Sequence, residues 1–212
     1  MTATLTEGTK TTAGLDLMPG ECLRLDGMSW EDYEAMAALF DTFASRPRLT
    51  FCDHTIEIMP PPSFDHELPK KNLGFLVENY CLERDIEIVG AGELRKKIAG
   101  LRGAEPDECF FLDGPAGDDR TPNLVIEVKV TSGGFDRLRV WHPFRVPEIW
   151  IFEDGKLHPF EWTEEAYLPI AESRVLPGIS IADLEELCLV TPMNKAVREF
   201  RRRMHDRENP QT

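Results

Sequence analysis

Three residues carry the chemistry of this chain: Asp107, in Glu105-Pro106-Asp107-Glu108, and Glu127 and Lys129, in Leu124-Val125-Ile126-Glu127-Val128-Lys129. The run from Asn123 to Val130 is almost continuously apolar, the pattern of a strand covered on both faces of a sheet. Side chains alternate along a strand, so Glu127 and Lys129 share one face while Ile126 and Val128 take the other. A charge in such a strand is costly unless it is paired or coordinated, which calls for a salt bridge or a metal site. Asp107 lies just before a second strand expected at Glu108 to Leu112. Two carboxylates and an amine converging on one sheet can hold a divalent cation through oxygen, with the Val128 carbonyl as a neutral ligand, and orient a water beside it. The bland alternative is a Glu127/Lys129 ion pair at a strand end, with Asp107 an exposed loop residue.

Pro106-Asp107 followed, 20 residues on, by Glu127-x-Lys129 resembles the PD-(D/E)XK nuclease superfamily. Leu49-Thr50-Phe51, Ile56-Glu57-Ile58-Met59-Pro60, His66-Glu67, Gly103-Ala104-Glu105-Pro106-Asp107-Glu108-Cys109-Phe110, Thr131-Ser132-Gly133-Gly134 and Val146-Pro147-Glu148-Ile149-Trp150 follow in order. Together they look like the bacterial Uma-two family of restriction-endonuclease-like proteins, over roughly Met28 to Leu189. The resemblance implies an α/β, restriction-endonuclease-like fold: a mixed central sheet flanked by helices, with an N-terminal helix and a β-hairpin extension. It implies an endonuclease that hydrolyses DNA phosphodiester bonds with Mg²⁺ or Mn²⁺ on Asp107, Glu127 and Val128, and it places a further contribution to the metal shell on Glu67 or its neighbour His66. Helix capping is the other explanation for that pair. In many relatives the position of Lys129 is apolar and a lysine comes from the next helix, where this chain has Arg137. Lys129 is therefore assigned the water-activating role and Arg137 a phosphate contact, with Asp136 a partner of Arg137 or a helix cap.

Composition sets the frame. A chain of 212 residues, 42% of them hydrophobic, has the size of one domain. The organisation expected is a disordered leader over 1–18, one domain over 19–192, and a basic helix and tail over 193–212. No apolar stretch approaches the roughly 20 residues that span a bilayer, and the five scattered cysteines argue against a disulfide framework and for a reducing cytoplasm. The net charge of −14 is the main argument against DNA, since a polyanion is repelled at long range. The basic residues do cluster, at Lys70-Lys71, Arg95-Lys96-Lys97 and Lys195 through Arg207. That last run reads as an amphipathic helix with Ala196, Val197 and Phe200 inward, either a solvated terminal helix or a DNA contact.

The elements that must position the site are legible in pattern. Ser29 is a candidate N-cap, with acids in the first turn after it, for a helix running to about Phe43. Leu49 to Cys52 and Thr55 to Met59 form a hairpin around Asp53-His54, where relatives usually carry glycine. Asp65 is a candidate N-cap for a helix from His66 to Glu83, with Leu73, Leu76, Val77 and Tyr80 as its core face. Further expectations are a strand at Ile86 to Val89, a crossover helix at Phe135 to Phe144, strands at Glu148 to Glu153 and Lys156 to Trp162 around Asp154-Gly155, and a helix at Ile181 to Leu187. Trp141, Trp150 and Trp162 read as packing aromatics. Two other classes stay open: a catalytically silent nuclease fold that binds nucleic acid or a protein partner, and a hydrolase or binder of a small phosphorylated ligand, which lacks a phosphate-cradling glycine loop. Two-fold DNA invites two-fold protein, so a homodimer stays open, though nothing in the chain reads it out.

Overall fold

The computed structural model describes residues 22–43, 46–59, 62–129 and 134–209. The expected leader, Pro60-Pro61 and residues 130–133 lie outside them. In chain order the elements are β1 (Leu23–Asp26), α1 (Trp30–Phe40), β2 (Arg48–Cys52), β3 (Thr55–Met59), α2 (Phe64–Glu83), β4 (Ile88–Gly90), β5 (Lys96–Ile98), β6 (Arg102–Ala104), β7 (Glu108–Leu112), β8 (Leu124–Lys129), α3 (Arg137–Trp141), a 3₁₀ turn (His142–Phe144), β9 (Glu148–Glu153), β10 (Lys156–Trp162), β11 (Tyr167–Pro169), α4 (Ile181–Leu187) and α5 (Met193–Glu208).

Two sheets result. The six-stranded sheet runs β11-β10-β9-β8-β7-β4, with β8 parallel to β9 and the other pairs antiparallel. The hairpin β2/β3 is not an appendage to it. It belongs to a second, antiparallel sheet in the order β1-β3-β2-β6-β5.

Alternation along β8 divides the core as its sequence requires. Leu124, Ile126 and Val128 face α2, α4 and α5 in a cluster with Leu73, Leu76, Val77, Tyr80, Leu184 and Phe200. Val125 faces the other way, with Cys109, Trp141, Ile149 and Ile151. Glu127 shares that second face with Val125, and so does Asp107, which precedes Glu108 in a register where Glu108 lies opposite Ile126.

Some boundaries move for identifiable reasons. The first helix carries the expected Ser29 cap, a full capping box with Asp32, but ends at Phe40, where Thr42 and Phe43 fall into tight turns on Leu39 and Phe40. Asp65 is not the N-cap of α2: the Ser63 carbonyl accepts the first helical bonds from His66 and Glu67, so the helix starts two residues earlier. Pro69 consequently falls in the second turn and removes one ladder bond. The expected helix from Phe135 to Phe144 splits into α3 and a 3₁₀ turn at Pro143, which has no N–H to continue the helical ladder, and Arg145 closes the turn at φ 53°. Asp53 and His54 take φ of 51° and 61°, the paired left-handed values a type I′ hairpin needs, so histidine occupies a position that favours glycine.

The second sheet meets α1 through Gly103. A Cβ there would fall 2.3 Å from Cζ of Tyr33, which is fully buried among Phe51 and Trp30. Gly103→Ala is therefore expected to cost about 1–3 kcal/mol or more through overpacking, a fall in melting temperature of roughly 2–4 °C for each kcal/mol in a domain of this size. An unchanged melting curve would mean that the Tyr33 ring can step aside.

The basic C-terminal run forms α5 with Ala196, Val197, Phe200 and Met204 buried. Its arginines are largely matched by acids: Arg201 by Glu83, Arg202 by Glu199 and Asp206, Arg203 by Asp183, Glu186 and Glu199, and Arg207 by Asp183. No helix among the described residues is long and apolar enough to cross a membrane.

Candidate active site

Asp107 is buried, and every atom of its carboxylate that can accept a bond has a donor. Arg48 Nη1 and His66 Nε2, the latter at 3.3 Å, both reach Oδ1, and the Val128 backbone N–H donates to Oδ2 at 2.7 Å. Burial works against its charge, but Arg48, His66 and the Val128 amide outweigh that and hold the carboxyl well below the usual range. His66 lies in the first turn of α2, with Nδ1 3.2 Å from Glu67, so the imidazole links a carboxylate at the rim to one inside. Burial disfavours the imidazolium, yet the bond to Asp107 and its charge prevail and raise the His66 pKa.

Glu127 sits across from Asp107 with a different environment. The Trp141 indole donates to Oε1 at 2.6 Å, and Arg137 Nε lies 3.7 Å from Oε2. Burial, opposed by Arg137 and reinforced by the negative Asp107, pushes the Glu127 carboxyl well above the usual carboxylate range. Arg137 also reaches Glu57 Oε1 at 3.3 Å, while Glu57 Oε2 accepts from the Phe135 amide at 2.7 Å and pairs with Arg24 at 3.2 Å. Asp136 caps α3 through the Leu138 amide. This cluster thus holds three buried carboxylates, Glu57, Asp107 and Glu127, against two buried guanidiniums, Arg48 and Arg137, with Arg24 at the rim.

Lys129 does not pair with Glu127. Its ammonium contacts Glu153 Oε1 at 2.7 Å, on the residue directly beside it in β9. Adjacent strands bring side chains within about 4.5–5.5 Å, closer than residues two apart on one strand, so each charge takes a cross-strand or helical partner. Both ends of the Lys129–Glu153 pair are partly exposed.

A hard cation suits this donor chemistry. Asp107 and Glu127 offer carboxylate oxygens from one buried face, and the raised Glu127 carboxyl reflects first its burial and then, against the pull of Arg137, the negative Asp107 nearby. Among the described residues no three His, Cys, Asp or Glu side chains gather into a ready cage. A cation here would rest on the carboxylate pair and complete its shell with water, the manner usual for Mg²⁺.

The family profile described as "Putative restriction endonuclease", Uma2, matches residues 30–210. The chain belongs to the Uma2 family. The structure also resembles a crystal structure from Anabaena variabilis ATCC 29413, described as a putative nuclease belonging to DUF820, with a TM-score of 0.54 at 13% identity over 77% of this chain and 99% of that one. At that identity the likeness establishes the fold. No curated protein sequence matches the chain. Within the Uma2 fold, β7, β8, α2 and α3 bring Asp107, Glu127, Val128, His66, Glu67 and Arg137 into one neighbourhood, with Lys129 at its edge. Sequence reasoning overlooked three participants. Glu57 was given no role beyond its place in the hairpin, yet it is fully buried. Arg48 was given none. Trp141 read only as packing, and its indole N–H in fact anchors Glu127. The one available signal was Glu57 itself, a charge centred in Ile-Glu-Ile.

Proposed function

We propose that this chain is a divalent-cation-dependent endonuclease hydrolysing phosphodiester bonds in DNA. The observation that carries the reading is the pair of buried carboxylates, Asp107 just before β7 and Glu127 in β8, with Asp107 bonded to the amide of Val128, the residue after Glu127. Membership of a restriction-endonuclease family, which generally uses divalent metals, points the same way. Mg²⁺ or Mn²⁺, held by Asp107, Glu127 and the Val128 carbonyl, would supply Lewis-acid stabilisation of charge on a phosphoryl oxygen and lower the pKa of nearby water. Lys129 positions or deprotonates the attacking water. Arg137, always charged and unable to act as a base, clamps a phosphate oxygen once drawn from its carboxylate partners. His66, fixed between Glu67 and Asp107, orients Asp107 and passes protons toward the rim. Two copies acting on two strands would match the two-fold symmetry of duplex DNA.

The purified protein with Mn²⁺ or Mg²⁺ should nick or cut plasmid DNA, and chelation should stop it. Glu127→Gln keeps the shape of the side chain and should lose cleavage. Undiminished cutting by that variant would assign the activity to another source. A second reading, a silent nuclease fold that binds nucleic acid or a protein, draws support from the charge of −14 and from the matched arginines of α5. DNA binding without cleavage in either metal would favour it.

A further inference from the structure

We infer that Arg48 is a resident cation that competes with a divalent ion for Asp107, so that metal affinity is set by how readily this guanidinium leaves. The inference rests on the reading of Asp107 and Glu127 as a cation site. Arg48 stands at the first position of β2, its side chain 9% exposed, and contacts an Asp107 whose side chain is 1% exposed. The oxygen it occupies, Oδ1, also faces His66, while Oδ2 is taken by the Val128 amide. A divalent ion approaching Asp107 therefore meets a guanidinium already seated there, and two cations repel strongly in a water-poor interior.

The contact is also incompletely made. Arg48 bonds Asp107 through one terminal nitrogen, and its buried Nε has no partner among the described residues. Elsewhere in the same molecule guanidiniums use the two-pronged geometry that fixes an Arg–carboxylate pair: Arg46 on Glu105 at 2.8 and 2.9 Å, and Arg95 on Asp41 at 2.8 and 3.0 Å. Arg48, like Arg137 on Glu127, meets a site carboxylate with a single prong. It supplies charge to the site through one nitrogen, where Arg46 and Arg95 engage their carboxylates through two.

Calorimetric titration with Mn²⁺ tests this on the full chain. Arg48→Gln and Arg48→Met should each bind Mn²⁺ at least about tenfold more tightly than wild type. Adding Glu127→Gln to either should abolish the gain, placing the ion at the carboxylate pair. A variant that unfolds without metal and refolds on Mn²⁺ addition, followed by circular dichroism, supports the same competition. Unchanged or weaker affinity overturns it, as do variants that stay unfolded in saturating Mn²⁺, because the ion then does not take the place of the guanidinium. Cleavage by wild type separates the two ideas. Cutting without a gain in affinity sinks the role of Arg48 alone, whereas a gain without cutting in any variant sinks the nuclease reading alone.

Discussion

Asp107→Ala is expected to remove cleavage and to destabilise the fold by about 3–5 kcal/mol, the range for breaking a buried ion pair by deleting one partner. The reason is what remains behind. Arg48 keeps its charge, buried, with Nε already without a partner among the described residues, and the Val128 amide and His66 lose their acceptor as well. Native domains have only about 5–15 kcal/mol to lose, so the melting temperature should fall by roughly 10 °C. The companion measurement is the double variant Arg48→Met/Asp107→Ala, which removes both charges. It should recover most of the loss, because a buried pair replaced by apolar groups is often neutral in stability. A single variant that melts like wild type would show that Asp107 is not the anchor of this charge cluster. A double variant no better than the single would shift the blame from the stranded guanidinium to the lost amide and imidazole contacts.

Lys129→Met is expected to lower turnover about 10²–10⁴-fold, the usual contribution of a positioned general base or water-holding group. Stability should change little, since a partly exposed pair such as Lys129–Glu153 is worth about 0–1 kcal/mol. That weakness is what allows the role: an amine held loosely by Glu153 at the edge of the site can turn to a water without a large penalty. Mn²⁺ should stabilise Lys129→Met as much as wild type, by about 2.7 kcal/mol at a hundredfold excess over its dissociation constant, because the lysine adds nothing to the carboxylate pair. Single-turnover kinetics on a DNA duplex, beside thermal melts with and without Mn²⁺, read the two effects separately. Turnover at the wild-type rate would leave Lys129 as no more than the partner of Glu153.

The sequence alone determined the strand that carries the site. The apolar run of β8 could only be a two-sided strand, and period two then placed Glu127 opposite Ile126 and Val128, as the two core clusters bear out. Strand and helix limits at Glu148–Glu153, Lys156–Trp162 and Ile181–Leu187 followed from local pattern and turn chemistry. The order of motifs identified the family, because it reports a whole fold rather than one contact.

Partner choice was beyond it. Whether Glu127 pairs with Lys129, two residues away, or with Trp141 and Arg137 depends on where α3 docks, and that is set by packing between segments distant in sequence. The hairpin read as an extension became part of a second sheet because β6, some 45 residues later, adds to its edge. That sheet delivers Arg48 to Asp107 and Glu57 to Arg137. Charge on a half-apolar strand reads as solvent-facing until a second layer covers it, so the burial of Glu57 and the seating of Arg48 on Asp107 were decided only by tertiary structure, where desolvation makes every buried charge find a partner.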